Sequence, residues 1–329
     1  MAAERYFAFN TLAGAFRSGT LNVLDGQTTA GSFDNTFVSN SIVVLTTTDY
    51  IETPAFMDAA STTTFWIHFD FYNSSSSFNT GLPWLSFYNS TGTEVARISA
   101  NSNTMQFSYW NGSAFVNQGA TPAGPTNSGR TRIDVKIVCG AAGGFELYLA
   151  GTLVSSSAGA GLNAAVNNIA KVRLRGFGGS GVYYSQILGA NFDTRDSRLV
   201  PKLMTGNSVT NTGATGGFTE IDETVLDETD FISFANSGDV ETYTHGAITV
   251  PGSMVIDSMV INGRGRINGA GPTDGKFVVR SSGTNYLSSA LGLNSGFEPR
   301  SRNWTTDPAT GSRWTATTFN NAEKGVQAV

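Results

Sequence analysis

Apolar and polar residues alternate with a period of two in several stretches of this chain. In Thr64-Phe-Trp-Ile-His-Phe-Asp-Phe-Tyr72, Phe65, Ile67, Phe69 and Phe71 fall on one face, and Thr64, Trp66, His68, Asp70 and Tyr72 on the other. Ile133, Val135, Ile137 and Cys139 share a face against Arg132, Asp134 and Lys136, and Phe145, Leu147 and Leu149 repeat the pattern. A helix would scatter these positions around its circumference, whereas a half-buried strand keeps them together. Turn residues punctuate the runs. Gly140 to Gly144 reads as a hairpin loop, Asn111-Gly112 as a tight turn needing positive φ, and Gly151 as a further short reversal. Short strands at this spacing predict an all-β antiparallel sandwich. The only helical turns expected are short, near residues 55–59, 287–291 and 320–324.

Length and composition divide this pattern in two. At 329 residues the chain exceeds one small domain. Near residue 200 the alternation gives way to Pro201 and then to a polar, Gly-rich stretch ending at Gly217, which reads as a linker over 201–217. Strand runs resume at Phe231 to Phe234, Val240 to Thr244, Met254 to Ile261 and Lys276 to Val279. The expected organisation is a sandwich over 1–200 and a smaller, second β-sandwich-like domain over 218–329. Charged residues make up only 14%, well under the usual share of about a quarter, which suits strands and turns better than surface helices.

Charge and chemistry exclude more than they assign. A net charge of −5 argues against general affinity for nucleic acid, which needs a basic surface. No apolar stretch approaches the ~18 residues of a membrane span, and the first residues lack the pattern of a secretory signal. Cys139 is the single cysteine and His68 and His245 the only histidines, so no zinc cluster forms from them. His68 reads as a structural histidine and Cys139 as a buried, unreactive thiol. Residues 270–277 are a degraded phosphate-binding loop and 178–182 an incomplete nucleophile elbow. Glu220-Ile-Asp222-Glu-Thr224 approaches the Glu-x-Asp-x-Glu strand of sandwich glycosidases but ends in threonine, which breaks the carboxylate pair. Six carboxylates between Glu220 and Asp230 could offer oxygens to calcium or form an exposed acidic face. Arg132, Lys136, Lys171, Arg173 and Arg175 read as outer-face or edge charges. Trp84, Tyr109, Trp110, Tyr183 and Tyr184 could belong to the core or, for Trp84, Tyr109, Trp110 and Tyr183, to a platform on which a glycan stacks.

Two resemblances add to this reading. Residues 64–71, 132–138 and 144–154, with Val182 to Arg195 and its closing Asp193-Thr194-Arg195, resemble in order the concanavalin A-like, laminin-G-like jelly rolls, including phage examples. The second half resembles the C-terminal region of tailed-phage virion proteins. The shared elements are Ile221-Asp-Glu-Thr224, Asp239-Val-Glu-Thr-Tyr243, Val279-Arg-Ser-Ser-Gly-Thr-Asn-Tyr286, Asp307 to Gly311, Trp314-Thr315 and Asn321-Ala-Glu-Lys-Gly-Val326. The resemblance implies a non-enzymatic structural protein of the virion, in head decoration or in a tail fibre, tip or spike. It would be made in the host cytoplasm, assemble with other virion proteins and itself as a homo-oligomer, and carry no catalytic residues and no required cofactor. A glycan-binding module for a host surface is the alternative, and a glycoside hydrolase or lyase a more distant one.

Overall fold

A computed structural model describes residues 5–9, 14–18, 23–27, 41–56, 64–73, 78, 82–125, 130–140, 143–158, 168–177, 181–223, 225–269 and 271–329. The chain divides into two compact units, Met1–Leu199 and Val200–Val329.

The first unit is a two-sheet sandwich. Its strands are β1 (Arg5–Phe9), β2 (Phe16–Arg17), β3 (Val23–Gln27), β4 (Ser41–Val44), β5 (Tyr50–Glu52), β6 (Thr64–Asn73), β7 (Pro83–Tyr88), β8 (Glu94–Asn101), β9 (Thr104–Trp110), β10 (Phe115–Gln118), β11 (Thr131–Val138), β12 (Gly144–Leu149), β13 (Thr152–Ala158), β14 (Lys171–Arg175) and β15 (Val182–Ala190). An eight-stranded sheet runs β13-β12-β11-β6-β15-β4-β3 with β1 also on β15, and a seven-stranded sheet runs β10-β9-β8-β7-β14-β5-β2. Every pairing is antiparallel, and most neighbours are distant in sequence, as in a jelly roll.

The alternating apolar positions meet between these sheets. Phe65, Ile67, Phe69 and Phe71 of β6 are buried with Ile133, Val135 and Ile137 of β11. Phe145 stacks on Phe107 of the other sheet with ring centroids 3.9 Å apart, and Phe65 meets Phe87 edge-on at 6.2 Å. The described turn residues carry the expected positive φ. Gly112 has φ +99 and Gly140 φ +101, while Ala150 and Gly151 both have positive φ, at +49 and +84. Of the expected helical turn at 55–59, residues 57–59 lie outside the described residues.

The second unit is a smaller set of sheets: β16 (Met204–Thr212), β17 (Ala214–Thr215), β18 (Ser233–Phe234), β19 (Val240–His245), β20 (Met259–Gly265), β21 (Gly275–Ser281), β22 (Thr284–Leu287), β23 (Glu298–Trp304) and β24 (Glu323–Ala328). A five-stranded sheet has the order β16-β19-β24-β21-β22, and β17-β18 and β20-β23 are two-stranded ribbons. Met259 and Ile261 of β20 pack with Phe277, Val279, Leu291, Trp314 and Phe319 in one core.

The stretch expected as a linker, 201–217, is different. Residues 204–212 are the edge strand β16, paired with β19 from Met204↔His245 to Thr212↔Val240 through two register shifts. Its polar sequence hid it, because an edge strand exposed on alternate positions need not bury apolar side chains. Residues 288–291 are also not helical: Leu291 N–H bonds Gly275 O at 2.8 Å beside β21. The last expected helical turn lies a few residues earlier, as α1 (Ala316–Asn321), because the Thr315 side chain caps the Thr318 N–H and starts the helix there.

Candidate functional site

The four proposed stacking residues do not form one platform. Trp84 is fully buried, packed against Phe69, Phe71 and Phe78 at centroid distances of 5.8, 5.3 and 5.4 Å. A register shift between Pro83 and Leu85 turns both Trp84 and Leu85 inward, which simple alternation cannot anticipate. Tyr184 is buried as well. Tyr183 lies on the outer face of the eight-stranded sheet, 5.6 Å from Tyr72. Tyr109 shares the inward face of β9 with Phe107 and lines a small cleft at the sandwich edge with Phe107, Gln118, Phe145 and Ser157. Trp110 alone of the four stands on the outer face of the seven-stranded sheet, edge-on to Phe115 at 5.3 Å.

That outer face has a further composition. Register aligns Glu52, Arg173, Ser86, Arg97, Ser108 and Asn117 in one row across β5, β14, β7, β8, β9 and β10. The Arg173 guanidinium lies 3.8 Å from the Tyr50 ring centroid and 4.7 Å from that of Tyr88, and donates to Glu52 Oε2 at 2.6 and 3.0 Å. Arg97 lies 3.7 Å over Phe115, and Arg175 5.3 Å from Tyr50. Ser86 Oγ, Arg97 Nε and Arg175 Nε are buried and have no hydrogen-bond partner among the described residues. The sequence marks Arg173 and Arg175 as outer-face or edge charges and does not single out Arg97. It did not show that strand order would bring Arg97 into line with Arg173.

The opposite outer face is polar but closed. His68, Asp70 and Asp134 are buried there. His68 Nδ1 donates to Asp134 Oδ1 at 2.8 Å, and Thr194 Oγ1 donates to the same oxygen at 3.2 Å. Asp70 Oδ2 accepts from Gln186 Nε2 at 2.9 Å and pairs with Arg130 Nε at 3.0 Å, yet burial still raises its carboxyl above the ordinary range. Arg195 lies 4.5 Å from the Tyr148 ring centroid and 5.6 Å from that of Trp66. The Asp193-Thr194-Arg195 segment therefore covers part of this face, Thr194 bonding Asp134 and Arg195 lying over Tyr148 and Trp66, while His68 Nε2, Asp70 Oδ1 and Asp134 Oδ2 have no hydrogen-bond partner among the described residues. Burial pushes the Cys139 thiol up to about 12, which keeps it protonated and unreactive at neutral pH.

In the second unit, Glu220 is engaged in a turn: its carboxylate accepts the Gly217 N–H at the start of the 3₁₀ turn Phe218–Glu220. Among the described residues no group of three His, Cys, Asp or Glu side chains is placed to hold a metal ion, so the carboxylates of 220–230 converge on no calcium site there. His245 instead meets the buried Lys324, whose Nζ also donates to Phe319 O at 2.9 Å and Ala322 O at 2.8 Å. No described helix is long and apolar enough to cross a membrane.

No protein-family model and no curated protein sequence matches the chain. Solved structures do. The globular domain of T. cruzi calreticulin is 11% identical, with 58% of this chain and 89% of that chain covered at a TM-score of 0.43. The receptor binding domain of botulinum neurotoxin D is 11% identical over 89% of this chain and 93% of its own, at 0.40. Cellulose induced protein Cip1 is 14% identical over 55% and 93%, at 0.39.

Proposed function

We propose that this chain is a structural protein of a tailed-phage particle that acts by assembly, with the jelly roll displayed and the second unit as its attachment. One observation supports this above the others: the sequence elements that resemble those of phage virion proteins interlock within the second unit. Ser281, from the Val279 to Tyr286 element, donates to buried Asp307 of the Asp307 to Gly311 turn at 2.7 Å. The Trp314 indole N–H closes on Trp304 O at 3.0 Å. The Asn321 to Val326 element supplies β24, which β19 and β21 flank with the Asp239 to Tyr243 and Val279 elements. Residues that only hold each other in place are what a transferable building block would retain. Labelled antibody or direct imaging of intact particles should find the chain at regularly repeated positions, as a homo-oligomer. Its absence from purified particles would remove this reading.

A second reading, recognition of a glycan by the first unit, is favoured by the outer face of the seven-stranded sheet. Trp110, Phe115 and the aligned arginines there could engage sugar rings and their substituents. The two readings are compatible, since a displayed domain can bind.

A further inference from the structure

The outer face of the seven-stranded sheet carries Arg97, Lys171, Arg173 and Arg175 against Glu52 and Glu94. This is a basic surface on a chain whose net charge is −5. Glu52 takes up Arg173 and approaches Lys171 at 3.5 Å. Arg97 has no carboxylate partner among the described residues, although its Nε is buried. An aromatic ring beneath a guanidinium fixes its position at little entropic cost; Arg97 so held keeps its terminal Nη groups for a planar anion, whereas Arg173 already gives its Nε and one Nη to Glu52.

We infer that this face binds an anionic, carboxylate-bearing polysaccharide laid across the strands through Arg97 and Arg173. The inference rests on the glycan reading above and adds the charge of the ligand. Arg97 and Arg173 stand two strands apart in register, on the order of 10 Å, so the face addresses charges that repeat along a polymer. Of the side chains between and beside them, Ser86 and Ser108 are buried, and exposed Asn117 offers an amide suited to sugar hydroxyls. Ser108 Oγ already donates to Asn117 Oδ1 at 2.8 Å, which leaves the amide nitrogen of Asn117 available to donate. An acidic peptide, such as residues 220–230 of a second copy, fits less well. Backbone groups in mid-sheet are spent on neighbouring strands, so a peptide would find no main-chain partners there.

The test uses the full chain with polygalacturonate, neutral dextran and single-stranded poly-dT as probes, each at low and high salt. Retention of polygalacturonate alone, weakened by salt, is expected. Arg97→Gln should reduce it about tenfold, as loss of one charge-assisted contact would, with unchanged thermal melting. Arg97→Lys should recover only part of the loss, because an ammonium cannot make the bidentate contact. Equal binding of dextran, unaffected by Arg97→Gln, would leave the glycan reading standing and overturn the assigned charge. Retention of no saccharide would overturn both. Equal retention of poly-dT would replace the inference with a general polyanion surface. A salt-sensitive dimer that Arg97→Gln dissociates, without saccharide binding, would assign the face to a second copy.

Discussion

At single positions, the backbone and buried charges set the constraints. Ala150 holds φ +49 in the turn before Gly151, a left-handed conformation that costs an alanine roughly 1–2 kcal/mol. Asparagine enters that region more readily, and the position is exposed. Ala150→Asn should therefore stabilise the first unit by about 0.5–1 kcal/mol, read as a higher urea midpoint with an unchanged slope. Asp134 is the opposite case. It is fully buried and holds both His68 and Thr194. Asp134→Ala would leave those donors unpaired in a low-dielectric setting, so a loss of about 3 kcal/mol is expected in the same denaturation experiment. The polar alternation of β6 and β11 was plain in the sequence. The burial of that polar face was not, because the segment at 193–195 that covers it arrives from a distant part of the chain.

Elements were legible where one face is apolar and the other polar. β6, β11 and β12 are of this kind, and their turns carried the glycines that positive φ demands. Two features broke the rule. The shift at Trp84 places consecutive residues inward, so a tryptophan that alternation could assign to either face ended in the core. β16 buries little and reads as a polar linker until its partner β19 is known. Gly325 tests the packing of these elements. A Cβ there would stand 1.9 Å from Glu241 O and 2.7 Å from Thr242 Cα of the neighbouring strand. Gly325→Ala should force β24 away from β19. The expected outcome is loss of the second unit's melting transition with that of the first unit retained, which calorimetry resolves. A variant with wild-type melting would show that the strands can separate at no cost.

At the scale of the whole molecule, a buried pair makes the second unit's stability depend on pH. Burial pushes the Lys324 ammonium down to about 7 from an ordinary value of 10.5, and burial together with Lys324 holds His245 below its usual range. The unfolded chain then binds more protons than the folded one between about pH 7 and 10.5, so stability of the second unit should rise with pH across that window and plateau above it. Lys324→Met should flatten the slope measured by chemical denaturation between pH 7 and 10, whereas a slope unchanged by the substitution would place its origin elsewhere. Nothing along the chain pointed to this pair, because His245 and Lys324 stand 79 residues apart and meet only when β19 and β24 align. The candidate binding face was hidden for the same reason. Arg97 and Arg173 are ordinary outer-face charges until strand order sets them in one row.

The position of β24 between β19 and β21 has a further consequence for biosynthesis. Residues 323–328 are made last among those of the five-stranded sheet, yet they occupy its centre. β19 and β21 emerge from the ribosome with their facing edges unsatisfied and must wait for the strand that joins them. At about 5–20 residues per second, that delay after β19 lasts roughly 4–17 seconds. Once β21 is made, the nascent chain carries two open strand edges until β24 follows, and neighbouring nascent chains on one message could capture them.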